Sequence, residues 1–591
     1  MQRYKKRYCF STAEYYFTQR LCELTYYGTL DSYRVRLNNP KTTIEELCQV
    51  LLDWHSKKIK DFKTVEAVIN ELKKLLKNES ELLFLKTSKN SFLKILNDCN
   101  KEEYIQLLYA SRTILTENES YSTVLFEKLG NEIKRLNSIT PFGVEEYDTT
   151  ERLLGYLISE LCSWGYSKSF LFHLARSLFS KPSTHTFDNS LKMFSKVVEN
   201  KSPETFSVFL KAKFSNIELE LLRKRIPELL TPEIIDEYKS TAPKEFLSFY
   251  SESSKEYPDI FHIKVESLDY YDAVKLARAR VSEILDIVKL GYTERSLKIF
   301  KTALLISNND PTKIEKQRIF YQIDGRVETS PEIYDRFLIK FLSIRENQII
   351  AHETKEKIKS AIRYFRLGTE SIEIEQKFIN YWIGIEYLFS NYDVSSSTFH
   401  RFKNYFTKIH SLTYFKRNLI EFHNDLLQGD VISQLPTFKS LTDINYLLEP
   451  ATFDFIRNNY KETEPLLSYR ANTFYEILTN DKSFKNYILN HIDNLEGHLI
   501  RIYRIRNEIV HEAAIKPNIE NLTANLRYYL IFAITSLLDF FYNPPNELNI
   551  NGRISIDDYF IFKSLDFENF KNNKDNQKSL FDNEYSENII Y

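Results

Sequence analysis

The sequence predicts a multidomain, predominantly α-helical protein with a helical N-terminal region, a small α+β middle domain and a C-terminal helical bundle. Three observations support this fold class. The chain has 591 residues, more than one hydrophobic core usually holds. Glycine occurs only 12 times, which favours long helices over glycine-rich loops. Alternating segments of β-forming residues, typical of strands, are confined to residues 205–325.

Residues 1–140 are predicted to be helical, because apolar residues recur there with the spacing of a buried helix face. Residues 71–85 and 121–136 show this spacing most clearly. Residues 140–143 then contain a proline and a glycine, which interrupt helices. We therefore place the first boundary at residue 141.

Residues 141–330 are predicted to form an α+β regulatory or sensor domain. Two helices near its start are followed by four segments with the alternation of half-buried strands. The four candidate strands are residues 205–214, 259–268, 296–306 and 316–325. An amphipathic pattern at residues 269–290 predicts a helix between the second and third strands.

Residues 331–545 are predicted to form the C-terminal helical bundle, since apolar stripes with helical spacing return after residue 331. The candidate helices are residues 354–367, 372–390, 399–410, 415–427, 465–478, 495–513 and 519–541. Residues 546–591 are rich in Asn and Asp and are predicted to be an irregular tail.

The composition limits the possible classes of function. Neither a GxGxxG nor a GxxxxGK[ST] element is present, which argues against Rossmann and P-loop nucleotide sites. The net charge is -1, so nucleic-acid binding would have to come from a local basic patch. The five cysteines form no CxxC pair, so neither structural zinc nor a disulfide framework is expected. Reduced thiols favour the cytoplasm. The most apolar stretch, residues 528–542, is too short to cross a bilayer comfortably, so no membrane partner is expected.

The segment with the clearest potential for chemistry lies within residues 498–519. Arg506 is followed directly by Asn507 and then by His511, so Asn507 and His511 lie on one helical face. Pro517 predicts that the helix ends soon after His511. An imidazolium in the last turn is favoured by the carbonyl end of the helix dipole, which suits a group that exchanges protons.

Spacing alone does not single out this site, because other Arg–His pairs occur. They are Arg345/His352, Arg417/His423 and Arg504/His511. We interpret the first two as chance pairs, although Arg417 is also followed by an asparagine, with one extra residue before the histidine. Whether Arg504 or Arg506 is the functional arginine stays open.

A helical wheel places Arg506 on the apolar side of this helix and His511 on the polar side, about 140° apart at 3.6 residues per turn. The two side chains would therefore meet one ligand only at the edge of a cleft, across a dimer, or where the last turn bends. A guanidinium among apolar neighbours also needs an anionic partner, and Glu386 is the candidate. If that ion pair is the whole role of Arg506, the residue is structural.

The motif RNEIVH (506–511) resembles the R-N-x-x-x-H motif of the HEPN superfamily. An upstream segment, EIEQKFINYWIGIEYLFS (373–390), resembles the helix of the ApeA-like HEPN branch, with Trp382 and Glu386 one turn apart. We expect Trp382 to be a core residue and Glu386 to orient Arg506. Together the two segments suggest that residues 331–545 are a HEPN helical bundle.

This resemblance implies a metal-independent endoribonuclease without a cofactor, acting on RNA as a homodimer formed through the HEPN domain. It implies that His511 assists attack of a ribose 2′-OH or protonates the leaving oxygen. Arg506 would stabilise charge on the phosphorane, and Asn507 would orient the phosphate or the imidazole. Arg501 and Arg504, just upstream, are expected either to bind RNA or to form an ordinary solvated face.

A large region ahead of a toxic nuclease suggests regulation, and hence a toxin or antiphage abortive-infection effector with a phage-derived or protein trigger. Two alternatives stay open. One is a non-catalytic HEPN module that binds RNA or nucleotide, or serves for dimerisation. The other is a partner of a nucleotidyltransferase.

Overall fold

The computed structural model describes residues 10–26, 38–59, 61–77, 88–118, 120–139, 143–180, 185–200, 202–214, 219–241, 244–252, 254–291, 297–310, 312–318, 331–371, 373–391, 397–429, 431–438, 445–512, 519–545 and 553–572. Within these ranges the chain is predominantly α-helical with one small sheet, which confirms that part of the predicted fold class. Every helix in the same ranges is too short or too polar to span a bilayer.

The first nine helices share one hydrophobic core, which extends from Phe10 to Val198 and also includes Leu466 of the C-terminal part. They are α1 (Thr12–Thr25), α2 (Pro40–His55), α3 (Lys63–Lys77), α4 (Lys89–Asp98), α5 (Tyr104–Glu117), α6 (Tyr121–Ser138), α7 (Asp148–Ser163), α8 (Lys168–Ala175) and α9 (Phe187–Glu199). Helices α7–α9 were grouped with the sheet in the sequence analysis. Their buried residues belong instead to the core of α1–α6.

The middle of the chain forms a four-stranded antiparallel sheet with strand order β2-β1-β3-β4. The strands are β1 (Glu204–Phe214), β2 (Asp259–Ser267), β3 (Leu297–Ser307) and β4 (Ile314–Arg318). The helices of this part are α10 (Leu219–Arg225), α11 (Pro232–Thr241), α12 (Lys244–Ser251) and α13 (Tyr270–Gly291). Strand β1 is central, since Val208 pairs with Ile263 on one side and with Leu305 on the other.

Both faces of this sheet are covered, so side chains of β1 that point in opposite directions are buried. Val208 packs toward α13, whereas Phe209 packs toward α11 and α12. The predicted first three strands and the helix of residues 269–290 are confirmed. The fourth is confirmed up to residue 318, and residues 319–325 lie outside the described ranges.

The C-terminal part consists of helices that enclose two further buried clusters. They are α14 (Pro331–Glu346), α15 (His352–Glu370), α16 (Ile374–Phe389), α17 (Thr398–Gln428), α18 (Pro450–Asn459), α19 (Pro465–Thr479), α20 (Asp481–Glu512), α21 (Glu520–Tyr542) and α22 (Ile556–Asn572). Helix α20 carries the predicted motif in its last two turns, and α16 carries Trp382 and Glu386.

Three predictions in this part were wrong. Residues 399–410 and 415–427, predicted as two helices, belong to the continuous α17. Helix α20 begins at Asp481, well before the predicted start at residue 495. Residues 556–572, assigned to the irregular tail, form α22, because apolar side chains such as Tyr559 and Phe567 are buried against the bundle.

Candidate active site

Arg506, Asn507 and His511 line one cleft of about 360 Å³ at the C-terminal end of α20. A helical wheel leaves three ways for Arg506 and His511 to share a ligand, and the edge of a cleft is one of them. The cleft is formed within a single chain. These three side chains therefore reach a common space without a second copy.

The opposite wall of this cleft comes from the end of α2, the start of α3 and the connection between them, none of which stood out in the sequence. Asp53, Lys58, Ile59, Asp61 and Thr64 line it. The connection is a tight turn: the backbone amides of Lys58 and Ile59 donate to the carbonyl oxygen of Asp53 at 2.9 and 3.2 Å.

The conformation of this turn is unusual for its sequence. Lys57, with a φ of 62°, adopts the left-handed conformation that glycine usually occupies. At the other end of the connection, the side chain of Asp61 accepts a hydrogen bond from the backbone amide of Lys63, the first residue of α3. The wall that faces the motif is therefore fixed by local hydrogen bonds at both ends.

Arg506 is held by two oxygens and keeps one nitrogen unpaired. Its Nη2 lies 3.3 Å from Glu386 Oε1, and its Nη1 donates to Asn507 Oδ1 at 3.2 Å. Its Nε is buried and has no hydrogen-bond partner among the described residues. The predicted pairing of Arg506 with Glu386 is confirmed.

The residues around Glu386 on α16 are core residues, as expected. Trp382, Ile385 and Phe389 are buried in the cluster that also contains Leu499 and Ile502 of α20. Glu386 therefore projects from a helix that is fixed by packing, and this fixes the position of the carboxylate beside Arg506.

His511 is exposed and lies in the last turn of α20, which ends at Glu512. Within the described part of the chain, no hydrogen bond or ion pair engages its imidazole. Both ring nitrogens can therefore meet a ligand or a proton donor.

Arg501 and Arg504 are buried in ion pairs rather than presented to solvent. Arg501 Nε lies 2.7 and 2.8 Å from the two carboxylate oxygens of Glu46, and its Nη2 lies 2.7 Å from Glu71 Oε2. Arg504 Nη2 donates to the same Glu46 at 2.8 Å. The side chains of Arg501 and Arg504 are 10% and 14% exposed. Neither arginine forms the ordinary solvated face that was one of the two expectations, and binding of RNA by Arg501 and Arg504 stays a prediction.

The ionisation of this cluster is set by its charges. Burial alone would raise the pKa of Glu46, but the guanidinium groups of Arg501 and Arg504 outweigh it and hold that pKa well below its usual range. Burial would lower the pKa of Arg501, and the carboxylates of Glu46 and Glu71 raise it instead. Glu46 and Arg501 are therefore both charged at neutral pH.

The charged side chains that line the cleft are balanced in sign. The lining contains the cations of Lys58, Arg504 and Arg506 and the carboxylates of Asp53, Asp61 and Glu508. Burial and the neighbouring Glu508 carboxylate raise the pKa of Asp53. A cleft with this composition does not attract polyanions strongly.

The two other Arg–His pairs do not form sites. Arg417 and His423 are buried in the bundle, where Arg417 Nη2 lies 3.0 Å from His410 and His423 Nδ1 lies 2.6 Å from the hydroxyl of Tyr446. Arg345 and His352 are exposed and do not line the cleft. Their interpretation as chance pairs fits these positions.

Among the described residues, no group of three or more His, Cys, Asp and Glu side chains is placed to hold a metal ion. The cleft therefore offers a guanidinium, an amide and an accessible imidazole as its distinctive chemical groups. Comparisons with protein-family models, with curated proteins and with solved structures found no match to this chain, so the likeness to HEPN proteins rests on the motif and helix residues themselves.

Proposed function

We propose that this chain is a HEPN-type endoribonuclease in which Arg506, Asn507 and His511 act on one phosphodiester of RNA. The observation that supports this proposal most is the common cleft that the three side chains line. The contacts of Arg506 with Glu386 and Asn507 give further support, since they hold its guanidinium in place where the residue lines the cleft. The exposure of His511 leaves its imidazole accessible for proton transfer.

In the proposed reaction the ribose 2′-oxygen attacks the adjacent phosphorus, and the bond from phosphorus to the 5′-oxygen of the next nucleotide breaks. His511 takes the proton of the 2′-OH as a base, or gives a proton to the leaving 5′-oxygen as an imidazolium. Arg506 stabilises the additional negative charge on the phosphorane, and Asn507 orients the phosphate or the imidazole. The products are a 2′,3′-cyclic phosphate and a free 5′-OH. Because the nucleophile is the 2′-OH, RNA is the substrate and DNA is not.

A homodimer through the HEPN bundle belongs to the same proposal. One imidazole cannot be the base and the acid of the same step, and a second copy would provide a second His511. A cytoplasmic location and a role as a regulated toxin or antiphage effector are also proposed, with a phage-derived or protein trigger.

A second candidate function is a non-catalytic module that binds RNA or nucleotide, or serves for dimerisation. The ion pair of Arg506 with Glu386 and the balanced charges of the cleft favour it. The two candidates differ in one observable property, which is whether bound RNA is cut.

The proposed function is tested with His511→Ala and Arg506→Ala, using full-length protein in excess over a short single-stranded RNA. We expect each variant to lose about 10²-fold or more in cleavage rate, since general acid–base and electrostatic groups contribute at that level. The wild type should leave 2′,3′-cyclic phosphate ends, should not require added metal, and should not cut the DNA analogue.

The matched control is His352→Ala, an exposed histidine that does not line the cleft, whose cleavage rate should equal that of the wild type. Circular dichroism and thermal unfolding establish that the variants are folded. Binding of RNA without cleavage by the wild type would support the module instead. Cleavage that survives His511→Ala would exclude this site.

A further inference from the structure

Three arginines near the C-terminal end of α20 are each paired with a carboxylate of the same chain. Arg501 contacts Glu46 and Glu71, Arg504 contacts Glu46, and Arg506 contacts Glu386. Carboxylates and phosphates bind guanidinium groups through the same fork of N–H donors. The carboxylates therefore occupy positions that the phosphates of a bound RNA strand would otherwise take.

Two of these carboxylates come from distant segments of the chain. Glu46 lies on α2 and Glu71 on α3, and we call this pair the acidic latch. Their side chains are 18% and 15% exposed, so bulk water and salt screen these contacts less than surface ion pairs. The contact of Glu46 with Arg501 is bidentate, which fixes the orientation of α2 on α20.

The acidic latch also positions the second wall of the cleft. Glu46 lies on α2, two turns before the end of the helix, and Glu71 lies on α3, two turns after its start. The last turn of α2 contributes Asp53 to the cleft lining, and the connection to α3 contributes Asp61 and Lys58. Docking by the acidic latch therefore pairs two arginines and at the same time adds negative charge opposite the motif.

We propose that the acidic latch holds this nuclease in an autoinhibited state. Helices α2 and α3 act as an internal mimic of the RNA backbone, and activation requires them to move away from α20. Arg501 and Arg504 then become available to phosphates on one strand beside the scissile bond. This inference rests on the proposed function, because it assigns the regulation of the same cleft.

The electrostatics of the two states support this mechanism. In the docked state an RNA strand meets a cleft of balanced charge and gains little from the release of counterions. In the released state Arg501 loses both of its carboxylate partners and Arg504 keeps only Glu508 of the next turn, so both guanidinium groups become available to phosphates. Binding of RNA should therefore be weak when the acidic latch is engaged and strong when it is open.

The test uses Glu46→Gln, Glu71→Gln and the double variant in the full chain, each with and without His511→Ala. The matched control is Glu45→Gln, because Glu45 lies on α2, is half exposed and pairs with Lys41 rather than with α20. Hydrogen exchange of α2 and α3 reports docking, and fluorescence anisotropy with a labelled single-stranded RNA in the His511→Ala background reports binding. Cleavage is measured separately with His511 intact.

We expect the double variant to exchange amide hydrogens in α2 and α3 about tenfold faster and to bind the RNA about tenfold more tightly than the wild type, as two cations are released to phosphates. Cleavage by the same variant should rise in parallel, and Glu45→Gln should match the wild type in all three measurements. If the double variant does not fold, Glu46→Gln alone provides the test, since Arg501 keeps Glu71.

Two results would overturn the acidic latch: unchanged exchange in α2 and α3, or faster exchange without tighter RNA binding. A different result would count against the proposed function only. If exchange and RNA binding both rise while no variant cuts RNA, the acidic latch is supported and the chain is a regulated RNA-binding module.

Discussion

Arg506 is fixed in place by its contacts and also lines the cleft. Glu386 and Asn507 engage its two terminal nitrogens, and Nε is unpaired among the described residues. The side chains of Arg506 and Glu386 are 22% and 33% exposed, so their ion pair contributes about 1 kcal/mol or less to stability. Glu386 therefore acts mainly on the position of Arg506.

Replacing Glu386 should affect catalysis more than stability. We expect Glu386→Ala to lower the RNA cleavage rate about tenfold, since a misplaced guanidinium stabilises the phosphorane less well. Glu386→Gln should restore part of the rate, because its amide oxygen still accepts a hydrogen bond from Arg506. Single-turnover kinetics with saturating protein separate this effect from weaker RNA binding.

The control for this prediction is Glu370→Ala on the neighbouring helix α15, which removes an exposed ion pair with Arg366 and should leave the rate unchanged. A rate for Glu386→Ala equal to that of the wild type would show that the ion pair does not position the arginine. In that case Glu386 would have no part in the site.

The residues of the motif could be predicted from sequence, but their surroundings could not. Helical spacing and the anionic partner that a guanidinium requires led to Arg506 and Glu386, and that pair is present. By contrast, no local pattern links Glu46 to Arg501, because their contact depends on how two distant helices pack. An acidic residue on α2 has the same sequence signal whether it faces water or a buried arginine.

Close packing of α16 against its neighbours determines the position of Glu386. Gly384 lies one turn after Asn380, on the face that meets α21, and an added Cβ would lie 2.7 Å from Leu530 Cδ2. The same Cβ would be 3.5 Å from the carbonyl oxygen of Ala361 on α15. Since Leu530 is fully buried, it has little room to move.

We expect Gly384→Ala to lower the free energy of unfolding by about 1–3 kcal/mol, because overpacking of a dense core outweighs the better helix propensity of alanine. Urea-induced unfolding followed by circular dichroism measures it. Gly155 in α7 is the matched control, as it is also a buried helical glycine but an added Cβ there meets no atom within 4 Å. Gly155→Ala should stabilise the protein by up to about 1 kcal/mol. The close-packing argument fails if both substitutions stabilise.

Elements with a clear hydrophobic period could be predicted from sequence. A helix whose polar side chains donate hydrogen bonds to its own backbone could not. The alternation of β1, β2 and β3 identified them, since a covered sheet buries every second side chain on each face. The predicted break in α17 fell at a Ser and Thr pair. Ser411 Oγ instead donates to the carbonyl oxygen of Thr407 at 2.6 Å, so its hydroxyl is satisfied without ending the helix.

Over the whole molecule, the first core and the C-terminal helices are joined by buried charges. Glu23 of α1 pairs with Arg20 at 2.6 Å and with Arg470 of α19, and Arg470 pairs with Asp425 of α17 at 2.7 Å. All four side chains are less than a fifth exposed. The acidic latch joins the same parts, as does the pair of Lys74 of α3 with Asp493 of α20, which is about half exposed. Whether the chain is multidomain, as predicted, depends on whether these two parts unfold independently of each other.

The buried and the exposed ion pairs should differ sharply in their contribution to stability. Glu23→Ala removes the carboxylate that Arg20 and Arg470 share. Because Arg20 keeps Glu151 and Arg470 keeps Asp425, we expect it to cost about 1.5–3 kcal/mol. Lys74→Ala removes a solvated pair across the same two parts and should cost about 1 kcal/mol or less. Urea unfolding of both variants gives the two values.

The number of transitions in the same unfolding curves shows whether the two parts are separate domains. If the buried charges bind the two parts into one cooperative unit, the wild type unfolds in a single step, whereas Glu23→Ala unfolds in two, with the less stable part melting at lower urea. Two results would contradict this: equal losses of unfolding free energy for the two substitutions, or two unfolding steps already in the wild type. Apolar packing, rather than the charged contacts between the parts, would then determine how the chain unfolds.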